Sequence, residues 1–315
     1  MIKAGITGND IHAVGELLRL LLCHPDAEIV FVDSDEHEHA MLTDIFRGMT
    51  GATGMSFTNG SPLDKVDVLF CCYRGDGFMR RFMRETAIPE KLKIIDLSHD
   101  FRHCNGDEGF VYGLPELNRR ITCQAKYVSI PGDIASAVEL ALLPLAKSLL
   151  LNNEITATVI AASSCFRHDP GRQGIMSMVS PFDNEITNEV KSTMSAAQKS
   201  FDADLFVLPV ISPLKRGIVA TVTTDINVKL DELKELYRRY YEEDSFIYLV
   251  EDTSLQYIIG TNNCFIRLDA QGSKLAITSC IDNMMKGCAG QAVHNMNLMF
   301  NLEETTGLRQ SAIMM

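Results

Sequence analysis

Strand and helix patterns alternate through the first half of the chain, and this alternation limits the possible folds more than any other feature. Short apolar strand patterns cover residues 2–7, 28–32, 66–72 and 93–97. Helical patterns over residues 14–22 and 78–84 lie between them. Apolar strands that are separated by helices build a parallel sheet with helices on both faces. The alternation therefore predicts an α/β domain with a doubly wound parallel sheet.

The second half of the chain has a different order. Strand patterns follow one another at residues 155–162, 204–210, 217–227, 246–250, 264–268 and 274–280, and helical patterns cover 184–199 and 230–242. This order predicts an α+β domain with an antiparallel or mixed sheet and helices on one face. We expect the first domain to comprise residues 1–132 and 289–315, because the closing helix can return to it. The second domain is then residues 133–288.

The composition argues against several classes of protein. A net charge of −12 and a pI of about 5.1 give no basic surface for nucleic acid. We find no apolar run of the ~18 residues that cross a bilayer, and no signal-like N-terminal segment. We therefore expect a cytoplasmic protein without membrane contact. The nine cysteines contain no CxxC pairing, which predicts neither a disulfide framework nor a metal site.

The turn after the first strand has part of a dinucleotide-binding pattern. Gly8 supplies the tight turn, and Asp33 closes the second strand, where a carboxylate can accept hydrogen bonds from a ribose. The position three residues after Gly8, where glycine lets the backbone approach a pyrophosphate, is Ile11. A β-branched side chain obstructs that approach. The turn therefore predicts a weakened dinucleotide site in a Rossmann-type domain.

The loop after the second strand is acidic. Asp33, Asp35, Glu36 and Glu38 lie within six residues of one another, whereas a 2′-phosphate needs cationic or hydroxyl donors. If a dinucleotide binds, this loop favours NAD over NADP. The alternative is a solvated acidic loop that holds no ligand.

An aspartate, Asp133, stands where the stretch YVSIPGDIASAVELALLPLAK passes from strand and tight turn into helix. A helix start has unpaired N–H groups and partial positive charge, which suit an anion. Asp133 is therefore either a capping residue or part of an active site at the helix start.

Several stretches together resemble one family. The stretches are IDLSHDFR (95–102), YGLPELNRR (112–120), the PG turn before Asp133, KRGI (215–218) and DNMMKGCAGQAVHNMN (282–297). They are similar, in the same order, to stretches of the N-acetyl-γ-glutamyl-phosphate reductases of arginine biosynthesis. The resemblance implies a Rossmann-type domain and an α+β domain like those of aspartate-semialdehyde dehydrogenase and glyceraldehyde-3-phosphate dehydrogenase. It also implies NADPH-dependent reduction of an acyl phosphate to N-acetylglutamate semialdehyde.

The family reaction needs two residue types that this chain lacks at the matching positions. A cysteine thiolate attacks the acyl phosphate, phosphate leaves, and a hydride reduces the thioester, while a histidine handles protons. The resemblance places the cysteine at Asp133, and it places the histidine at Val210, where PVISPLKRGI replaces a stretch resembling PHLxPxxRGI. A carboxylate is a poor nucleophile, and valine cannot transfer a proton. We expect a family member that is catalytically inactive or re-purposed.

The cofactor positions that the resemblance implies are altered as well. ASSCFR (162–167) replaces a glycine-rich turn that lies against the nicotinamide. Phe166 and Arg167 are therefore expected to fill part of the cofactor site or to change its charge. Ser163 and Gln291 remain as weakened cofactor contacts. The resemblance implies NADP, whereas the residues themselves favour NAD or no dinucleotide.

Three alternatives stay open at this point. One is an active reductase that uses Cys165 or Cys288 as its nucleophile, with His168 as a substitute base. Another is an NAD-dependent enzyme of changed chemistry with Asp133 as general base, although a helix start works against the raised pKa that this role requires. The third is that the two cysteines are ordinary packing residues.

Arg102 and Arg216 are the expected substrate ligands, because a guanidinium can bind the carboxylate or phosphate of an acidic metabolite with two hydrogen bonds. Structural salt bridges to Asp100 or Glu116 are the competing interpretation. The expected partners are an acidic small molecule, further copies of this chain in a dimer or tetramer, and an active reductase in a hetero-oligomer.

Overall fold

The computed structural model describes residues 1–34, 36–102, 107–166, 176–178 and 185–313. The chain divides into two compact units. Unit 1 contains Met1–Arg102, residues 107–131 and Cys288–Arg309. Unit 2 contains the described residues of Gly132–Gly287 together with residues 310–313. These last residues group with unit 2 rather than with the first domain, and Ile313 donates its N–H to the Ile259 carbonyl there (3.0 Å).

Unit 1 is built on sheet A, in which every described strand pair is parallel. The described strands are β1 (Ile2–Thr7), β2 (Ala27–Asp33), β3 (Val68–Cys71), β4 (Lys93–Asp96), β5 (Phe110–Tyr112) and β6 (Tyr127–Ser129), in the spatial order β2-β1-β3-β4-β6-β5. All four residues of β3 are buried, as in a strand that is covered on both faces. The predicted doubly wound parallel sheet is confirmed.

The described helices of unit 1 are α1 (Ile11–Leu21), α2 (Leu42–Ile45), α3 (Phe78–Glu85), α4 (Pro115–Gln124) and, late in the chain, α8 (Gly290–Met299). Helix α1 begins three residues before the predicted helix, because Asp10 caps it. Helix α4 and strand β5 are absent from the sequence-based prediction. Pro115 occupies the first turn of α4, where the missing N–H of proline costs nothing.

Unit 2 is built on sheet B, which is mixed. Its described strands are β7 (Ile155–Ala162), β8 (Ser177–Met178), β9 (Leu205–Ser212), β10 (Ile218–Asp225), β11 (Ile247–Leu249), β12 (Cys264–Gln271) and β13 (Lys274–Ile281), in the order β11-β12-β13-β10-β7-β9-β8. The pairs β11–β12 and β7–β9 are parallel, and the other described pairs are antiparallel. The predicted mixed sheet is confirmed.

Three helices pack on sheet B: α5 (Asp133–Lys147), α6 (Glu185–Ala197) and α7 (Leu230–Tyr240). Every residue of α5 from Ile134 to Ala146 is buried, so this apolar helix forms the centre of the unit 2 core. Side chains alternate along β9: Leu205 and Val207 are buried, whereas Phe206 and Leu208 are only half-buried. No helix among the described residues is both long and apolar enough to cross a membrane.

Candidate functional site

The backbone N–H groups at the start of α1 in unit 1 donate to acceptors within the protein. Asp10 is the cap, and its Oδ1 accepts the N–H groups of His12 (3.1 Å) and Ala13 (3.2 Å). The Asp10 N–H donates to the Cys72 carbonyl (2.9 Å), and the Ile11 N–H donates to the carbonyl two residues earlier (3.1 Å). These four N–H groups are the ones that a helix start leaves without intrahelical partners. All four donate within the protein.

Arg74 holds this turn from the side of β3. Its guanidinium lies 2.7 Å from Asp10 Oδ2, and both side chains are largely buried. The Arg74 backbone N–H donates to Asn9 Oδ1 (2.8 Å). Gly8 has a φ of +142°, and a Cβ at this position would lie 2.1 Å from the Cys72 carbonyl oxygen. Glycine is therefore required where the turn meets the end of β3.

Asp33 ends β2, and its carboxylate already has partners. It accepts the Gly60 N–H (2.9 Å), the Ser61 hydroxyl (2.7 Å) and, more weakly, the Thr7 hydroxyl (3.5 Å). A small cavity of about 90 Å³ adjoins it, lined by Thr7, Gly8, Asn9, Asp33, Ser34, Glu36, Tyr73 and Phe78. The Tyr73 and Phe78 rings stack with their centroids 3.8 Å apart. The ribose role of Asp33 stays a prediction, and Asp35 lies outside the described residues.

Arg102 donates to three groups near the end of β4: the carbonyls of Leu97 and Ile130 (both 3.2 Å) and the His99 ring (3.0 Å). The expected salt bridge to Asp100 is wrong. Asp100 caps α3 instead, where its carboxylate accepts the N–H groups of residues 77, 79 and 80 at 2.7–3.1 Å. The assignment of Arg102 as a substrate ligand stays a prediction.

Two further groups of unit 1 are deeply buried. Gln291 in α8 donates from Nε2 to the Gly113 carbonyl (3.1 Å), while its Oε1 has no hydrogen-bond partner among the described residues. Asp96, at the end of β4, accepts the N–H (2.8 Å) and the hydroxyl (3.0 Å) of Ser98. Burial raises the pKa of Asp96 to about 6, although the hydrogen bonds from Ser98 and the nearby Arg102 act in the opposite direction.

In unit 2, Asp133 is the first residue of α5, and Gly132 occupies the cap position. The alternative that Asp133 is the capping residue of α5 is therefore wrong by one residue. Its Oδ1 accepts the N–H of Ile134 (2.8 Å), and the Gly132 N–H donates to Glu189 (2.8 Å). A Cβ on Gly287 would lie 2.7 Å from the Asp133 Cβ, so the turn before α8 packs directly on the start of α5.

The same turn binds Arg216. Its Nε lies 2.9 and 2.7 Å from the two oxygens of Asp282, which is fully buried. Asp282 also accepts the N–H groups of Gly260 (2.6 Å) and Met284 (2.8 Å), and its carbonyl accepts the Gly287 N–H (3.1 Å). Residues 282–287 therefore bring Asp133 and Arg216 to one segment of unit 2. The Arg216–Asp282 pair is not among the contacts that the sequence predicts.

Val210 lies in β9, paired with Ile160 of β7 and Met178 of β8. It is half-buried and, by the alternation of the strand, faces away from the side of β9 on which α6 packs. The neighbouring aliphatic side chains offer no proton to transfer. The assignment of Val210 to the histidine position of the family stays a prediction.

Ser163 opens a short 3-10 helix, Ser163–Phe166, and both its N–H (2.8 Å) and its hydroxyl (3.1 Å) donate to the Leu214 carbonyl. Cys165 lies in the same helix and is half-buried. Arg167 and His168, the charged residue and the substitute base of the sequence analysis, lie outside the described residues.

Cys288 belongs to unit 1 and lies half-buried in the π-helical turn Met285–Ala289. Burial, and then the nearby Cys288 and Asp10, raise the pKa of the Cys72 thiol well above its ordinary value. The described residues contain no group of three or more His, Cys, Asp or Glu side chains arranged to hold a metal ion.

Two family models match the two halves of the chain. Residues 4–125 match the semialdehyde dehydrogenase NAD binding domain, and residues 134–283 match the semialdehyde dehydrogenase dimerisation domain. Aspartate semialdehyde dehydrogenase II from Vibrio cholerae has the same fold, with a TM-score of 0.73 at 14% identity over 96% of this chain and 99% of that one. The fold therefore defines a protein of the semialdehyde dehydrogenase class.

Sequence similarity narrows the class. The chain is 46% identical to the N-acetyl-gamma-glutamyl-phosphate reductase of Phocaeicola vulgatus and 45% identical to that of Bacteroides thetaiotaomicron, with 98% of each chain covered in both comparisons. The chain belongs to the N-acetyl-γ-glutamyl-phosphate reductase family, as its motifs indicated.

An NAD(P)-binding domain implies a dinucleotide, and two observations test whether the residues fit one. The buried Oε1 of Gln291 is an acceptor for which the described residues provide no donor. At the start of α1, however, all four N–H groups that hold a pyrophosphate in such domains are already used, and a carboxylate lies among them. The residues of the α1 start do not fit a dinucleotide phosphate.

Proposed function

We propose that this chain does not carry out thiol-dependent reduction of an acyl phosphate and that it serves in the cytoplasm as a non-catalytic binding subunit. The observation that carries the proposal is the carboxylate at the start of α5. Asp133 takes the position that the family resemblance assigns to the nucleophile, and it accepts the Ile134 N–H there. A carboxylate cannot form the thioester that the hydride must reduce.

The half-buried Cys165 and Cys288 are weak candidates to replace the nucleophile of the family. Cys288 lies in the π-helical turn Met285–Ala289, outside the first turn of α8, where a helix start would favour a thiolate. Cys165 lies in a 3-10 helix next to Ser163, whose hydrogen bonds to Leu214 support a packing role for this helix. These placements favour ordinary packing over catalysis for both cysteines.

The dinucleotide preference follows from the acidic loop of unit 1. Asp33 and Glu36 line the cavity at the end of β2, and a 2′-phosphate beside them would meet like charge. We therefore propose that any residual dinucleotide binding favours NAD, although the family resemblance implies NADP. We also propose that unit 2 binds an acidic small molecule through Arg216, although the Arg216 Nε already donates to the buried Asp282.

We also propose that unit 2 associates with a second copy of this chain. On β7 and β9 the side chains that alternate with the buried core include Ile160, Phe206 and Leu208, which are partly or largely exposed, and Ile160 is 41% exposed. Burying such an apolar sheet face against an equivalent face removes it from water. A family reductase with an equivalent face is the second partner, in a hetero-oligomer.

The proposal is tested by an assay of phosphate-dependent oxidation of N-acetylglutamate semialdehyde, with NAD and with NADP. We expect background rates for the purified chain and for its Cys165→Ala and Cys288→Ala variants alike. Turnover that either substitution abolishes would overturn the proposal. Light scattering gives the oligomeric state, and we expect Ile160→Lys to lower the molecular mass by disrupting association.

A further inference from the structure

We propose that Asp10 and Arg74 determine the ligand class of unit 1: together they close the start of α1 to phosphate, so that the domain takes neither NAD nor NADP. The inference deepens the proposed function, because a chain that binds no dinucleotide cannot transfer a hydride. It concerns binding rather than turnover: dinucleotide binding without turnover would overturn this inference and leave the proposed function standing, whereas turnover would overturn both.

The first step is a count of hydrogen-bond donors. A dinucleotide pyrophosphate is held by N–H groups at the start of the helix after the first strand. Here the N–H groups of His12 and Ala13 both donate to Asp10 Oδ1. Those of Asp10 and Ile11 donate to backbone carbonyls. A phosphate that entered the turn would find every one of these donors in use, and would have to break hydrogen bonds to obtain one.

The charges at the start of α1 also disfavour a phosphate. The Asp10 carboxylate lies at the helix start, so it takes the favourable field that would otherwise attract a phosphate. Arg74 is the cation that phosphate would seek, and its Nη2 lies 2.7 Å from Asp10 Oδ2. The side chains of this pair are 23% and 15% exposed, so salt screens the pair less than one on the surface. The pair leaves an approaching phosphate to face a carboxylate.

The third step is rigidity. The Arg74 N–H donates to Asn9 Oδ1 (2.8 Å), and the Asp10 N–H donates to the Cys72 carbonyl (2.9 Å). Backbone and side-chain bonds therefore join the β1–α1 turn to the residues after β3 on both sides of the Asp10–Arg74 pair. Ile11 follows as the first helical residue, half-buried, where glycine is expected in a dinucleotide-binding turn. Admitting a phosphate requires this whole arrangement to change.

The test is a fluorescence titration of the full chain with NADH and, separately, NADPH at fixed ionic strength. We expect no saturation of the unsubstituted chain below about 1 mM, a weak-binding limit. Asp10→Ser keeps a good capping residue, removes the charge and releases Arg74. We expect it to tighten binding of at least one dinucleotide tenfold or more, and we expect Arg74→Ala in the Asp10→Ser background to abolish that gain.

The control is Asp100→Ser, the same substitution at the aspartate of unit 1 whose carboxylate accepts N–H groups at the start of α3, and we expect it to leave binding unchanged. Asp10→Asn is a second variant that preserves the shape of the side chain, and we expect it to tighten binding as well. Thermal unfolding of each variant shows that it is folded. Micromolar binding by the unsubstituted chain, or no tightening in folded Asp10→Ser and Asp10→Asn variants, would overturn the inference.

Discussion

The starts of α1 and α5 each carry an aspartate, and the two are held in different ways. Asp10 is a true cap: one oxygen accepts two backbone N–H groups, and the other meets Arg74. Asp133 lies one position inside its helix and accepts the N–H of its neighbour Ile134. The difference teaches that an aspartate at a helix start can be held by backbone and side-chain partners on both oxygens, as Asp10 is, or can lie inside the first turn, as Asp133 does.

The two helix starts also correspond to two different losses that we propose, that of dinucleotide binding and that of the catalytic nucleophile. At α1 the Asp10 carboxylate occupies the N–H groups of His12 and Ala13, which we propose are thereby lost to a cofactor phosphate. At α5 the carboxylate takes the position that the family resemblance assigns to a thiol. The two losses that we propose differ in kind, since one concerns the binding of a dinucleotide and the other the formation of a thioester.

The largest effects should come from the glycines that let each helix start approach its neighbour. We expect Gly8→Ala to lower the free energy of unfolding by about 4 kcal/mol or more, because the new Cβ would lie 2.1 Å from the backbone oxygen of Cys72 at a φ of +142°. Gly287→Ala meets the Asp133 Cβ at 2.7 Å, and we expect a loss of about 2 kcal/mol.

Urea unfolding of the two variants measures this pair of values. Gly15→Ala is the matched control, because the three atoms nearest to its new Cβ, at 2.7–3.5 Å, all belong to the Phe46 ring, which can turn away. A smaller loss for Gly8→Ala than for Gly287→Ala would contradict the view that the α1 start is fixed by backbone contacts and the α5 start by side-chain packing.

The fold was predictable where apolar runs were long enough to show a period. The alternation through β1, α1 and β2 predicts sheet A, and the closely spaced strands of β9 and β10 predict sheet B. Strand β5 has only three residues, and no predicted helical pattern separates it from β4, so the alternation of strand and helix does not mark it. Helix α4 carries a non-helical residue, Asn118, that interrupts its pattern. Such elements depend on neighbours that are distant in sequence.

A third aspartate, Asp96, lies at the end of strand β4 and not at a helix start, so it shows what burial does to a carboxylate. Asp96 is fully buried, and its pKa of about 6 lies above the ordinary value of 3.8. A raised pKa means that the folded state favours the protonated form. The stability contributed by this group is therefore present below pH 3.8 and is lost as the pH rises through 6.

Asp96→Asn removes this titration. We expect the variant to gain stability relative to the unsubstituted chain as the pH rises from 4 to 7, by up to about 3 kcal/mol, the equivalent of a shift of roughly two pKa units. Urea unfolding of both proteins at pH 4, 5, 6 and 7 measures the difference, in which the other carboxylates cancel. A difference that does not change with pH would show that burial does not govern Asp96.

The candidate site was predictable in part. Gly8 and Asp33 fall at the strand ends where the pattern places them. The cap role of Asp10 was not predicted, although an aspartate near the start of a helical pattern is a cap signal. The glycine spacing of the turn pointed to Ile11 instead. Arg74 and Asp282 could not be found in the same way. Each pairs with a residue more than sixty positions away, and strand order rather than local pattern brings the partners together.

The smallest expected changes in unfolding free energy come from replacing each of the two aspartates in turn. Asp10→Ala deprives two N–H groups of an acceptor and removes the partner of Arg74, so we expect a loss of about 1 kcal/mol in unfolding free energy. Asp133→Ala loses one acceptor and a favourable interaction with the helix dipole, for which we expect a few tenths of a kcal/mol. Asp133→Asn, which retains the acceptor, separates the hydrogen bond from the charge. Equal losses at the two positions would mean that Asp133 contributes as much to its helix start as Asp10 does, and the difference drawn between the two aspartates would fail.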